Sequence, residues 1–431
     1  MKKSWKTVLA GVLTAALILP GCGSAGGASS GKTDVSMLIG KEEIAKELDE
    51  TVAKYNSSQD KYNVKIIPLA GQNATEKLTS LYASKNAPVL INAGVYKELE
   101  AWKDKFLDLS DMPLVQGIDE QYLDAGKVDG KLIGIPTTIE AFGFLYNKDV
   151  LDEAVKGDFN PETIQSRADL EELMKQIEAT GKKALEISPM DWSLGAHFSN
   201  VMFTNQSDDT AARHEFLKQL QEGKVDLANN QTFKDWVATF DLMKEHNTAK
   251  AAPLSADYDS ATLQFANGDI GLWFMGNWAY PQIKEANPDA NIGVMPVPIK
   301  EEAGAYGNTQ ISIGVPQTWT IDATQSTKEQ QDGAKDFLNW MYEDEVGQDY
   351  YVNKLGFIPI SKNNKIEPND ELSKSVLSYL QAEKNLEWMN AFYPPTGFPA
   401  MGASLQKYLD DKIDMTGLAA EFVDYWKTSA K

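Results

Sequence analysis

Cysteine is all but missing: Cys22 stands alone among 431 residues, so no intramolecular disulfide and no cysteine-built metal site can form. Arginine is nearly as scarce, with only Arg167 and Arg213. Phosphate, sulfate and carboxylate ligands are usually gripped by guanidinium forks, so an anionic ligand is disfavoured. A neutral polyol or a cation suits this residue supply better. Histidine is limited to His197, His214 and His246. None stands in H-E-x-x-H spacing, and each is expected at the surface or in a satisfied structural role. Phosphate-cradling G-x-x-x-x-G-K-[ST], dinucleotide G-x-G-x-x-G and nucleophile-elbow G-x-S-x-G strings occur only in the Gly- and Ser-rich stretch Gly21 to Thr33, where no strand precedes them and no helix follows, so they lack the context that chemistry needs, and no cofactor or metal is expected. Asp257 and Asp259 open a calcium-loop spacing that Ala261 and Thr262 then break, where an oxygen ligand and a turn glycine are needed. Acidic doublets such as Glu171-Glu172 and Asp410-Asp411 aim their carboxylates at different helix faces, which argues against a glycosidase's opposed pair.

Positive charge is also in deficit. Sixty-two acidic residues against 41 basic ones leave a net charge of −21, which excludes nucleic acid as a partner and repels anionic lipid headgroups. The single long apolar run, Val8 to Leu19 behind Lys2, Lys3 and Lys6, is too short for a stable membrane span and reads as a secretion signal. It ends in Leu19-Pro20-Gly21-Cys22, which resembles the bacterial lipoprotein box. That resemblance implies lipidation of Cys22 and a protein held on the extracellular face of the cell membrane, of Gram-positive type, by its N-terminal lipid alone. Residues 23–33, rich in Gly, Ser and Ala, read as a flexible tether.

The remaining chain exceeds the usual size of one hydrophobic core, so two domains are expected. Ser36 to Ile39 reads as a strand, and Ile44, Leu48, Val52 and Tyr55 recur at helical spacing after it. Asn63 to Leu69 and Pro88 to Ala93 read as further strands with a helix between them. The order is that of a doubly wound α/β lobe. A second series starts at Leu132 to Pro136 and Phe142 to Asn147 and includes strands at Ala184 to Ser188, Ile270 to Phe274, Asn291 to Val297 and Ile311 to Val315. Phe233, Trp236, Phe240 and Met243 form one apolar stripe, expected to be core.

Between Phe265 and Pro298 the chain reads FANGDIGLWFMGNWAYPQIKEANPDANIGVMPVP. This resembles the sugar-binding branch of the family 1 extracellular solute-binding proteins of ABC importers: a helix ending in F-x-x-G, a small-residue strand, G-x-W, then P-x-P. Asp129-Gly130-Lys131 through Pro136 to Tyr146-Asn147-Lys148-Asp149 resembles the family's D-G-K and Y-N-K-D signatures. Ala334 to Met341 with Gly356-Phe357-Ile358-Pro359 resembles its A-x-x-F-L-x-W and G-x-x-P pair.

The resemblance implies the type II periplasmic-binding-protein-like α/β fold, two doubly wound lobes joined by a hinge. The expected lobes are 34–138 with 312–352 and 139–311 with 353–431. It implies a monomer that performs no chemistry, captures a neutral carbohydrate between the lobes and hands it to permease subunits. Trp278 falls where maltose-binding relatives stack a sugar, Glu140 where they hold hydroxyls, and Asp191-Trp192 where a carboxylate and an aromatic act together, although Asp191 also suits a helix N-cap. Asn92, Tyr96, Lys41, Asn277, Tyr393 and Phe398 are further candidates. The alternatives are a polyamine binder, whose ammonium groups the same carboxylates and aromatics would cage, and, more remotely, a surface glycosidase.

Overall fold

The computed structural model describes residues 31–70, 72–394 and 397–429. The secretion signal, Cys22 and residues 23–30 of the tether lie outside the described residues, as does the side chain of Phe398. In chain order the strands are β1 (Thr33–Leu38), β2 (Tyr62–Ile66), β3 (Leu90–Ala93), β4 (Lys127–Val128), β5 (Lys131–Leu132), β6 (Ile135–Pro136), β7 (Glu140–Asn147), β8 (Lys183–Glu186), β9 (Ile270–Gly276), β10 (Ile292–Met295), β11 (Ile311–Gly314), β12 (Thr318–Ile321) and β13 (Asn385–Leu386). They make two mixed sheets, one ordered β2-β1-β3-β12-β6 and one ordered β13-β11-β7-β9-β8 with β10 also on β7; β4 and β5 form a small hairpin. Each larger sheet is the centre of one lobe.

Strand β7 is buried along all eight residues, because helices cover both faces of its sheet. Such a strand reads as a continuous apolar run rather than an alternating one. Its even-numbered side chains, Phe142, Phe144 and Tyr146, join the core of the second lobe. There they meet Phe233, Trp236, Phe240 and Met243, all wholly buried, as the stripe on helix Gln231–Glu245 predicts. Each such side chain contributes about 1.5–3 kcal/mol on burial. Ala141 and Leu145 face the other core, shared with the first lobe.

The chain passes between lobes at residues 137–139, from β6 into β7. Here the backbone is pinned from several directions. Tyr342 Oη donates to Pro136 O at 2.7 Å and Tyr351 Oη to Thr137 O at 2.8 Å. Ile358 N donates to Thr138 Oγ1 at 2.9 Å. The return crossing lies at residues 315–317, because β11 pairs with β7 through Gly314↔Glu140 whereas β12 pairs with β3. The expected division at 311/312 therefore moves a few residues later: hydrogen bonding keeps all of β11 in the second sheet. Among the described residues no helix is long and apolar enough to cross a membrane.

Candidate functional site

Where the lobes meet, the end of β9 turns sharply and returns Trp278 over its own strand. Gly276 permits this. A Cβ at that position would lie 2.0 Å from Cζ3 and 2.3 Å from Cη2 of the Trp278 indole. Asn277, buried beside it, accepts a hydrogen bond from Ala141 N at 2.8 Å, which fixes the turn to the first residues of β7. Glu140, at the start of that strand, is thereby set next to Trp278.

Glu140 is paired with Lys41, which follows β1 in the other lobe. Lys41 Nζ also lies 3.1 Å from Glu43 Oε1. Both Lys41 and Glu140 are buried, at 8% and 6% exposure, so the ion pair bridges the lobes in a place nearly shut off from water. The two carboxylates outweigh burial for Lys41 and hold its ammonium well above the ordinary lysine range. For Glu140 burial pushes the carboxyl upward, and contact with the Lys41 ammonium opposes that push. Lys41, Glu43, Glu140, Asn277, Trp278 and Phe357 line a cavity of ≈ 10 Å³, room for about one water. The lobes are closed on each other here.

The indole of Trp278 belongs to a longer aromatic wall on the second lobe. Its ring lies 6.1 Å from Trp192 at 71° and 4.8 Å from His197 at 45°. His197 stacks on Phe142 at 4.5 Å, and Trp192 lies 6.3 Å from Tyr258. Trp192 and His197 are carried on one wide helical turn, Trp192–Phe198, of the π type that often marks functional sites. Asp191 caps that turn, accepting from Trp192 N at 2.7 Å, so the capping reading of this aspartate is the one observed. Gly402 lets the C-terminal region pack hard against it: a Cβ there would lie 2.7 Å from Asp191 Cα.

His197 is thus not the surface or hydrogen-bonded histidine expected. His214 and His246 do have carboxylate partners, Glu387 at 2.8 Å and Glu178 at 2.9 Å. His197 has ring neighbours instead. Burial, with the nearby Lys41 charge, pushes its pKa down to about 3, so the imidazole is neutral at every physiological pH. Tyr258 also escaped the sequence reading. Its hydroxyl is buried without a hydrogen-bond partner, and burial with Glu43, Asp259 and Glu140 keeps it firmly protonated. Neither residue sits in a recognisable motif; the one usable signal was the aromatic density from Trp192 to His197.

The remaining candidates divide. Asn92 Nδ2 donates to Thr137 Oγ1 at 2.8 Å in the lobe crossing, while its Oδ1 is buried and unpartnered. Tyr96 reaches across to Phe392 of the second lobe, with ring centroids 4.5 Å apart. It does so from a backbone φ of 46° and ψ of −99°, a strained setting for a bulky residue that costs about 1–3 kcal/mol and tends to cluster at ligand clamps. Tyr393 is corrected: it is 5% exposed, packed on Phe203 and Trp426, with its hydroxyl 2.9 Å from Ser199 Oγ. Edge-on packing against Phe203 and Trp426 holds that ring in the core of the second lobe. Asp257, the residue that began the broken calcium spacing, caps helix Tyr258–Ala266 by accepting from Ser260 N at 2.9 Å. Among the described residues no cluster of three His, Cys, Asp or Glu side chains is placed to hold a metal ion.

Two doubly wound α/β lobes, joined by crossing strands and closed over buried polar and aromatic side chains, define the periplasmic-binding-protein-like architecture. Solved structures agree. The solute-binding protein RafE in complex with raffinose superposes with a TM-score of 0.79 at 21% identity, covering 93% of this chain and all (100%) of that one. The apo-form of RafE from Streptococcus pneumoniae gives 0.74 at 21% identity, over 93% and 99%. In sequence, the arabinooligosaccharide-binding protein of Halalkalibacterium halodurans is 26% identical over 257 residues, 57% of this chain and only 52% of that protein. The multiple sugar-binding protein of Streptococcus mutans serotype c is 22% identical over 368 residues, 81% of this chain and 83% of that protein. The family model described as bacterial extracellular solute-binding protein matches residues 50–375. This chain belongs to that family.

Proposed function

We propose that this protein captures a neutral carbohydrate, an oligosaccharide in particular, between its lobes and delivers it to the permease subunits of an ABC importer, with no chemistry done on the sugar. The observation that carries this is the wall of Trp278, His197 and Trp192 beside the Lys41–Glu140 pair. A pyranose ring presents C–H groups to indole faces and hydroxyls to charged donors and acceptors, and both kinds of partner stand together here. The relatives named for arabino-oligosaccharides and for multiple sugars support the same ligand class. Closing on the sugar would turn about residues 137–139 and 315–317, with the lobes moving as halves and the closed form offered to the permease. The protein works as a monomer on the outer face of the membrane, held through lipid on Cys22.

The test is calorimetric titration with raffinose, stachyose, maltose and arabino-oligosaccharides, repeated with Trp278→Ala. At least one sugar binds the parent, and the variant loses about tenfold or more, the worth of one stacked ring at ~1.4 kcal/mol. A parent blind to every sugar, or a variant as tight as the parent, refutes the reading.

A further inference from the structure

Carboxylates beside aromatic faces are the chemistry by which proteins take organic cations, so the present site contains the makings of an amine receptor. Glu140 and Glu43 converge on one point from opposite lobes, with Trp278 lining the same cavity. That point is already filled. Lys41 places its own primary ammonium between the two carboxylates, 3.1 Å from Glu43 Oε1 and in direct contact with Glu140. A lysine head is an alkylammonium, and its four-carbon stem matches one arm of a diamine.

We infer that Lys41 is the residue that sets the charge class of the ligand: a tethered ammonium that occupies an amine site and leaves the cleft to uncharged guests. This rests on the carbohydrate reading above and adds to it why a cation is refused. With Lys41 in place, an incoming amine meets a carboxylate already neutralised and a like charge beside it. Without Lys41, the carboxylates of Glu140 and Glu43 face the cavity with no tethered counter-charge, and a small cation from solution competes with a proton to neutralise them.

The experiment uses the full chain, with Lys41→Met and Lys41→Gln beside Lys41→Arg and the parent. Each is titrated with putrescine and with ethylamine, in thermal-shift and calorimetric form, against sodium chloride at matched ionic strength. Lys41→Met and Lys41→Gln are expected to bind both amines at least about tenfold more tightly than the parent. Lys41→Arg, which keeps the tethered cation, stays blind to them. Adding Glu43→Gln to Lys41→Met weakens the new amine site. If Lys41→Met does not fold alone, refolding with ethylamine but not with salt supports the inference, and failure of ethylamine to restore it counts against it. The inference falls if the Lys41 variants gain no amine affinity while the parent still binds a sugar. A parent that itself binds putrescine overturns both this inference and the carbohydrate reading.

Discussion

Substituting Gly276 with alanine tests the site through a residue that cannot itself touch a ligand by side chain. The backbone at Gly276 has φ −123° and ψ 175°, an extended conformation that alanine adopts without strain. The consequence is confined to the added methyl, which would sit 2.0, 2.3 and 2.5 Å from Cζ3, Cη2 and Cε3 of Trp278. Those atoms need to retreat by roughly 1.4 Å to reach the 3.4 Å at which ordinary contact begins, a shift that forfeits most of a stacked ring's dispersion. An aromatic contact is worth about 0.5–1.5 kcal/mol beyond area burial, so affinity for the sugar the parent binds best should fall about three- to tenfold. Overpacking costs about 1–3 kcal/mol of stability. Calorimetry reads the affinity, and near-ultraviolet circular dichroism reports whether the indole has moved. An altered dichroism spectrum with parental affinity would show that the ring does not serve the sugar.

Two further outcomes follow from buried polar groups outside the cleft. Glu186, 3% exposed at the end of β8, has its pKa pushed by burial from 4.5 up to about 7. The folded state then holds more protons than the unfolded one between those values, so stability falls as pH rises through that window, by about 3 kcal/mol from this group alone. Glu186→Gln should remove that slope in urea unfolding between pH 5 and 8 and raise stability at pH 8; an unchanged slope refutes the assignment. Tyr393→Phe removes the bond to Ser199 and should cost about 1 kcal/mol in unfolding without changing sugar affinity, whereas a loss of binding would return Tyr393 to the site.

Much of this molecule is written locally. Strand β7, the stripe Phe233, Trp236, Phe240 and Met243, and the G-N-W turn that carries Trp278 each lie in a segment whose periodicity or motif is complete by itself. The paired α/β lobes and the family followed from such segments in order. Strand β12 was missed. Its residues Thr318 and Thr320 look solvent-facing, yet both are wholly buried, with Thr320 Oγ1 donating to Ile91 O at 3.2 Å; only pairing with β3 makes that burial affordable.

The meeting of side chains across the cleft was beyond local reading. Lys41 and Glu140 are 99 residues apart and on different lobes, and each was legible only as a separate ligand contact. His197 looked like an ordinary structural histidine until the wide turn beginning at Trp192 set it against Phe142 and Trp278. Periodicity and capping arise from neighbours within a few residues, so a sequence carries them openly. Contacts between lobes depend on where the chain crosses and how far the halves close, and those are properties of the packed whole.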